Sequence, residues 1–88
     1  MRTIWKYPLE ICDSQGIDIP STCEFLCVKE QYDRPVLYVM VDPESPLVNT
    51  SILCAGTGHK RDDIEDKKYL GTTVLFSGNL VYHWFLGK

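Results

Sequence analysis

Every apolar run in this chain is short, and each is cut by proline, glycine or charge before it could complete an amphipathic helix. No window of about ten residues repeats its apolar positions at helical spacing between capping signals. What recurs instead is a few β-branched and aromatic residues, then a polar turn. Thr3 to Leu9, Ile17 to Ile19, Phe25 to Gln31, Val36 to Val41, Ser51 to Ala55, Tyr69 to Phe76 and Leu80 to Leu86 all read as strands.

The separators carry their own chemistry. Asp42-Pro43-Glu44-Ser45-Pro46 stops a strand, because two prolines remove two backbone donors. Tyr32-Asp33-Arg34-Pro35 reads as a turn joining an antiparallel pair, with Pro35 opening the second strand. Ser77-Gly78-Asn79 reads as the turn of a closing hairpin, its Gly and Asn suited to positive φ. Along Val36 to Val41 both alternating sets are apolar, which predicts a central strand covered on both faces. Leu80, Tyr82, Trp84 and Leu86 share one face of the last strand, and Val81, His83 and Phe85 the other. The expectation is a mainly β chain, a compact antiparallel sandwich or barrel of about six or seven short strands in a single domain, 1–88.

Composition narrows the function. The formal net charge is -3 and the pI near 5.2, and the basic residues are scattered. A nucleic-acid backbone binder needs clustered Lys and Arg, so nucleic acid is not the expected partner. No apolar run approaches the roughly 18 residues of a membrane span, and Met1 to Lys6 lacks a secretory signal. A cytosolic setting follows, in which Cys12, Cys23, Cys27 and Cys54 are expected as reduced, buried structural thiols. A zinc site from Cys23 and Cys27 with His59 and His83 is disfavoured. Two residues four apart on a strand stand about 13 Å from each other, far more than tetrahedral coordination allows. No metal and no cofactor is expected.

Catalysis finds little support. His83 lies inside an apolar strand, where a hydrogen-bonded structural histidine is the simpler reading. The acidic pairs Asp62-Asp63 and Glu65-Asp66 lie in the almost wholly charged stretch Lys60 to Lys68, which reads as an exposed loop. The most informative segment is Gly56-Thr57-Gly58-His59-Lys60. Two glycines one residue apart permit positive φ and let backbone N–H groups converge on an anion. Thr57 adds a hydroxyl, His59 a switchable donor and Lys60 a positive charge. The third glycine and following helix of a dinucleotide fingerprint are absent. Trp5 and Lys6, with the surplus of aromatics, complete the candidate ligand-binding set by offering a stacking surface and a further cation.

Five segments together carry a resemblance. They are Ile4-Trp5-Lys6-Tyr7-Pro8-Leu9, Val41-Asp42-Pro43-Glu44-Ser45-Pro46, Gly56-Thr57-Gly58-His59, Tyr69-Leu70-Gly71-Thr72 and Leu80-Val81-Tyr82-His83-Trp84-Phe85. In order and spacing the chain resembles a small uncharacterised family common in phages and prophages. The resemblance implies a phage origin and the host cytoplasm as the setting, and it brings no biochemical activity. The expected role is therefore a non-enzymatic accessory protein. It would inhibit host antiviral defence by sequestering a small nucleotide signal. The alternative is a protein-binding inhibitor or virion-associated component acting on a host protein. A β domain of this size has exposed edges, so a homo-oligomer is expected as well.

Overall fold

The computed structural model describes residues 1–87, and among them are seven strands and no helix. They are β1 (Thr3–Pro8), β2 (Ser14–Pro20), β3 (Cys23–Gln31), β4 (Arg34–Val41), β5 (Leu47–Gly56), β6 (Lys68–Leu75) and β7 (Leu80–Leu86). Two antiparallel sheets form a sandwich: sheet A in the order β1-β4-β3 and sheet B in the order β2-β5-β7-β6. The expected β3–β4 pair and the closing β6–β7 hairpin are both present.

Turn chemistry accounts for the joints. Tyr32 and Asp33 both take positive φ (51° and 58°), the conformation a two-residue hairpin needs to match strand twist. Pro35 belongs to β4 as expected, and Arg34 belongs to it as well, so the turn is one residue shorter than the sequence suggests. In the β6–β7 turn positive φ falls on Phe76, Ser77 and Gly78, with Asn79 N–H donating to the Phe76 carbonyl at 3.2 Å. The left-handed residues thus begin two positions earlier than expected, and Asn79 is not among them.

Between the sheets lie Leu9, Ile19, Val28, Leu37, Val39, Val41, Ile52, Cys54, Leu70 and Trp84, all buried. Trp84 is the largest of them, and its indole N–H donates to Thr73 Oγ1 at 2.9 Å, so neither polar group is left bare. Truncating a fully buried Trp costs about 3–5 kcal/mol, which makes Trp84 the main anchor of sheet B.

One side of the sandwich is sealed where β3 meets β6. Gly71 lies so close to β3 that a Cβ there would stand 2.4 Å from the Val28 carbonyl oxygen. Glu30 accepts from the Val74 N–H at 2.9 Å and Asp33 from the Phe76 N–H at 3.2 Å. Carboxylates thereby satisfy donors on the free edge of β6.

Two expectations need correction. The outer face of β4 is not fully covered: Val36 is buried, but Tyr38 and Met40 are only half-buried, because no described strand packs on the outside of sheet A. The cysteines are all free, yet only Cys54 is buried; Cys12 is exposed and Cys23 and Cys27 are half-buried. A bulge between Phe25 and Cys27 shifts the register, so Cys23 faces Val41 and Cys27 faces Tyr38.

Candidate functional site

β5 ends at Gly56, and the chain then turns sharply. The His59 N–H donates to the Gly56 carbonyl at 3.1 Å, closing a four-residue turn. Gly58 takes φ +86°, the value a type II turn demands at its third position, and only glycine adopts it without strain. The Thr57 N–H still reaches the Val81 carbonyl at 3.3 Å, so the turn stays registered on β7.

This turn forms one wall of a cleft of about 270 Å³. Gly56, Thr57 and His59 line one side, with Asn79, Leu80, Val81 and Tyr82 on the other. Gly56 matters because a Cβ there would stand 2.9 Å from the His59 ring. Its absence lets the imidazole lie down beside the strand. The Gly58 N–H donates to no described group. The cleft therefore combines a hydroxyl, an imidazole and an amide with one phenol ring, and the unused Gly58 donor belongs to the turn that forms its wall.

The far end of the turn is pinned by Arg61. Its guanidinium donates to both Asp63 carboxylate oxygens (2.9 and 3.0 Å), to Asp13 Oδ1 (3.3 Å), to the Asp13 carbonyl (3.3 Å) and to the Cys54 carbonyl. The hydrogen bond from Arg61 holds the Asp63 carboxyl below the usual carboxylate range, and the same bond raises Arg61 further. The Gly56–Lys60 turn is thus fixed at both ends, by β5 and by this anchor, which limits the ordering a ligand would have to impose.

The structure divides the predicted site residues. Gly56, Thr57 and His59 line the cleft, and Gly58 shapes the turn. Lys60 is exposed directly after it. Trp5 and Lys6 do not line the cleft, because β1 is the edge strand of the opposite sheet. Trp5 stands across from Val39, 40% exposed, and the Lys6 ammonium donates to Gln31 Oε1 at 3.0 Å over the outer face of β4.

Two site features were not anticipated. Asn79, Leu80 and Tyr82 supply the second wall, and Arg61 is an anchor where only a solvated loop was expected. His83 is hydrogen-bonded as expected, and its partners are two threonines, with Nε2 2.7 Å from Thr57 Oγ1 and Nδ1 3.0 Å from Thr72 Oγ1. Counting back from the hairpin turn would have paired Thr72 with His83. Nothing local in the sequence announces Thr57 as the other partner.

Cys54 offers no reactive thiol, because burial, then the neighbouring Cys12, push its pKa up to about 11. Among the described residues no group of three or more His, Cys, Asp or Glu side chains is arranged to hold a metal ion. No helix among them is long and apolar enough to cross a membrane.

Fold and site together define a small antiparallel β-sandwich with an open polar cleft at the end of one sheet. The chain belongs to the family described as Domain of unknown function (DUF7352), which matches residues 1–88. No curated protein and no solved structure matches it.

Proposed function

We propose that this chain is a non-enzymatic binding module that holds a small phosphate-bearing ligand in the Gly56–Tyr82 cleft. The carrying observation is a coincidence of place. The turn that the sequence marks as an anion cradle is the wall of a cleft whose other wall presents Tyr82 and Asn79. Ligand pockets typically run from roughly 300 Å³ upward, so about 270 Å³ suits a small ligand or the phosphate end of a larger one. Aromatic and amide groups beside the donors favour a nucleotide over a bare ion.

The setting we propose is a phage accessory protein in the host cytoplasm that sequesters a nucleotide signal of antiviral defence. The motif resemblance supports the phage origin, and the lack of an evident nucleophile supports binding without turnover. Calorimetry against a panel of mononucleotides and cyclic oligonucleotides tests this reading. Heat or a thermal shift with one of them is expected, and a flat response across the whole panel would sink it.

A second reading is favoured by the outer face of sheet A. Ile4 is 56% exposed there and Leu26, at the bulge, 39%, with half-buried Tyr38 and Met40 between them. Such a face suits a host protein or a second copy of the chain. Light scattering on the purified protein and assay of purified particles for its presence separate this reading from the first.

A further inference from the structure

A chain of four side chains runs from the exposed ring of Tyr69 to the cleft. Tyr69 Oη meets Thr72 Oγ1, Thr72 Oγ1 lies 3.0 Å from His83 Nδ1, and His83 Nε2 lies 2.7 Å from Thr57 Oγ1. The register of sheet B builds it: His83 stands directly across from Thr72 on one side and from Ala55 on the other, with Thr57 two residues beyond Ala55.

A neutral imidazole has one N–H and one bare nitrogen, so this chain has two self-consistent directions. In the first, Tyr69 donates to Thr72, Thr72 to Nδ1, and Nε2–H to Thr57. The Thr57 proton is then left over. In the second every bond reverses: Thr57 donates to Nε2, Nδ1–H to Thr72, and Thr72 to Tyr69. The ends decide between them. A phenol ionises near pH 10, far below an alkyl alcohol, so it is the better donor and the poorer acceptor of the two. The first direction uses Tyr69 as a donor, and polarisation along the chain reinforces each following bond.

We propose that the Tyr69–Thr72–His83 chain holds Thr57 as a hydrogen-bond donor toward the cleft, making Thr57 the residue that selects an oxyanion, phosphate or carboxylate, as the ligand. This rests on the binding reading above and names its chemistry. The leftover Thr57 proton has one nearby protein acceptor, the Val81 carbonyl at the long distance of 3.5 Å, which a charged ligand oxygen readily displaces. The same direction explains why a threonine beside a histidine is not a nucleophile here. Nε2 already carries a proton and cannot accept another from Thr57. The group behind the imidazole is an uncharged threonine, not a carboxylate that would stabilise an imidazolium.

The test reads the His83 tautomer by long-range ¹H–¹⁵N spectroscopy on labelled protein at about pH 8.5, where an ordinary imidazole is neutral. The Nε2–H form is expected, and the Nδ1–H form would overturn the proposal even if a ligand binds. In parallel, inorganic phosphate and acetate are titrated into wild type, Thr57→Ser and Thr57→Val. Thr57→Ser should keep the anion affinity, and Thr57→Val should lose about tenfold or more. Equal binding by Thr57→Val would overturn Thr57 as the selecting residue while leaving the cleft a binding site. If neither these anions nor the nucleotides bind wild type, the binding reading falls and takes the proposal with it.

Discussion

Gly71 and Gly56 both sit in sheet B where a side chain would collide, but they would collide with different things. A Cβ on Gly71 would meet backbone, the Val28 carbonyl oxygen at 2.4 Å, at φ +155°. A Cβ on Gly56 would meet the His59 ring at 2.9 Å, and a surface imidazole can swing away. At Gly71 the missing side chain lets two sheets close; at Gly56 it lets a cleft stay open. The same residue type therefore reports stability at one edge of the sandwich and ligand access at the other.

Substitutions can break this contrast. The largest effect belongs to Gly71→Ala, where a backbone clash and an unfavourable φ act together. A loss of about 3 kcal/mol or more is expected, lowering Tm by roughly 10 °C or more in a domain of this size. A shift smaller than a few degrees would mean that the seam is not tight. Next comes Trp84→Phe, which removes the donor to buried Thr73 from the residue directly opposite Gly71. About 1–3 kcal/mol should be lost in a denaturant titration. Gly56→Ala should behave in the opposite sense to Gly71→Ala. Its stability should change by less than about 1 kcal/mol, while displacement of His59 weakens any ligand of the cleft several-fold in calorimetry.

Smaller effects sharpen the picture. Glu30→Ala removes an exposed cap from the Val74 N–H and should cost less than about 1 kcal/mol, since water can replace the carboxylate. Cys54 makes the interior titrate at high pH. Its folded pKa of about 11 lies above the ordinary thiol value of 9.0, so the unfolded chain releases the thiol proton first. The contribution is whole below pH 9.0 and is lost as pH rises toward about 11. Chemical denaturation across that window should show a decline that Cys54→Ser reduces. Alkylation at neutral pH should modify exposed Cys12 well before Cys54.

Much of the fold was legible in the sequence because strands of this kind announce themselves by alternation and by their turns. Trp84 and Tyr82 on one face of β7 and His83 on the other follow directly from period two. Two strands were read at about half their length. β2 begins at Ser14 and β5 at Leu47, where polar and glycine residues mask the pattern. There Asn49 bonds Asp18 across the pair at 3.2 Å, satisfying polarity that looks like loop in isolation.

The site was legible where it is local and illegible where it is not. The Gly56–His59 turn needs only its own residues, and Gly58 carries the predicted positive φ. Trp5 and Lys6 were grouped with it by chemistry alone. Their distance from the cleft depends on β1 pairing with β4 in the other sheet, a long-range fact that no motif encodes. Arg61 was hidden in a run of charges, because only folding brings Asp13 and the Cys54 carbonyl beside it.

The central claim is that the Gly56–Tyr82 cleft binds a phosphate-bearing ligand. Its most direct test is an amide ¹H–¹⁵N titration of the assigned protein with inorganic phosphate and a nucleotide panel. The account predicts saturable shifts confined to Gly56–Lys60 and Asn79–His83. No shift with any of these compounds, or shifts centred on Ile4, Leu26 and Tyr38 of sheet A, would contradict it.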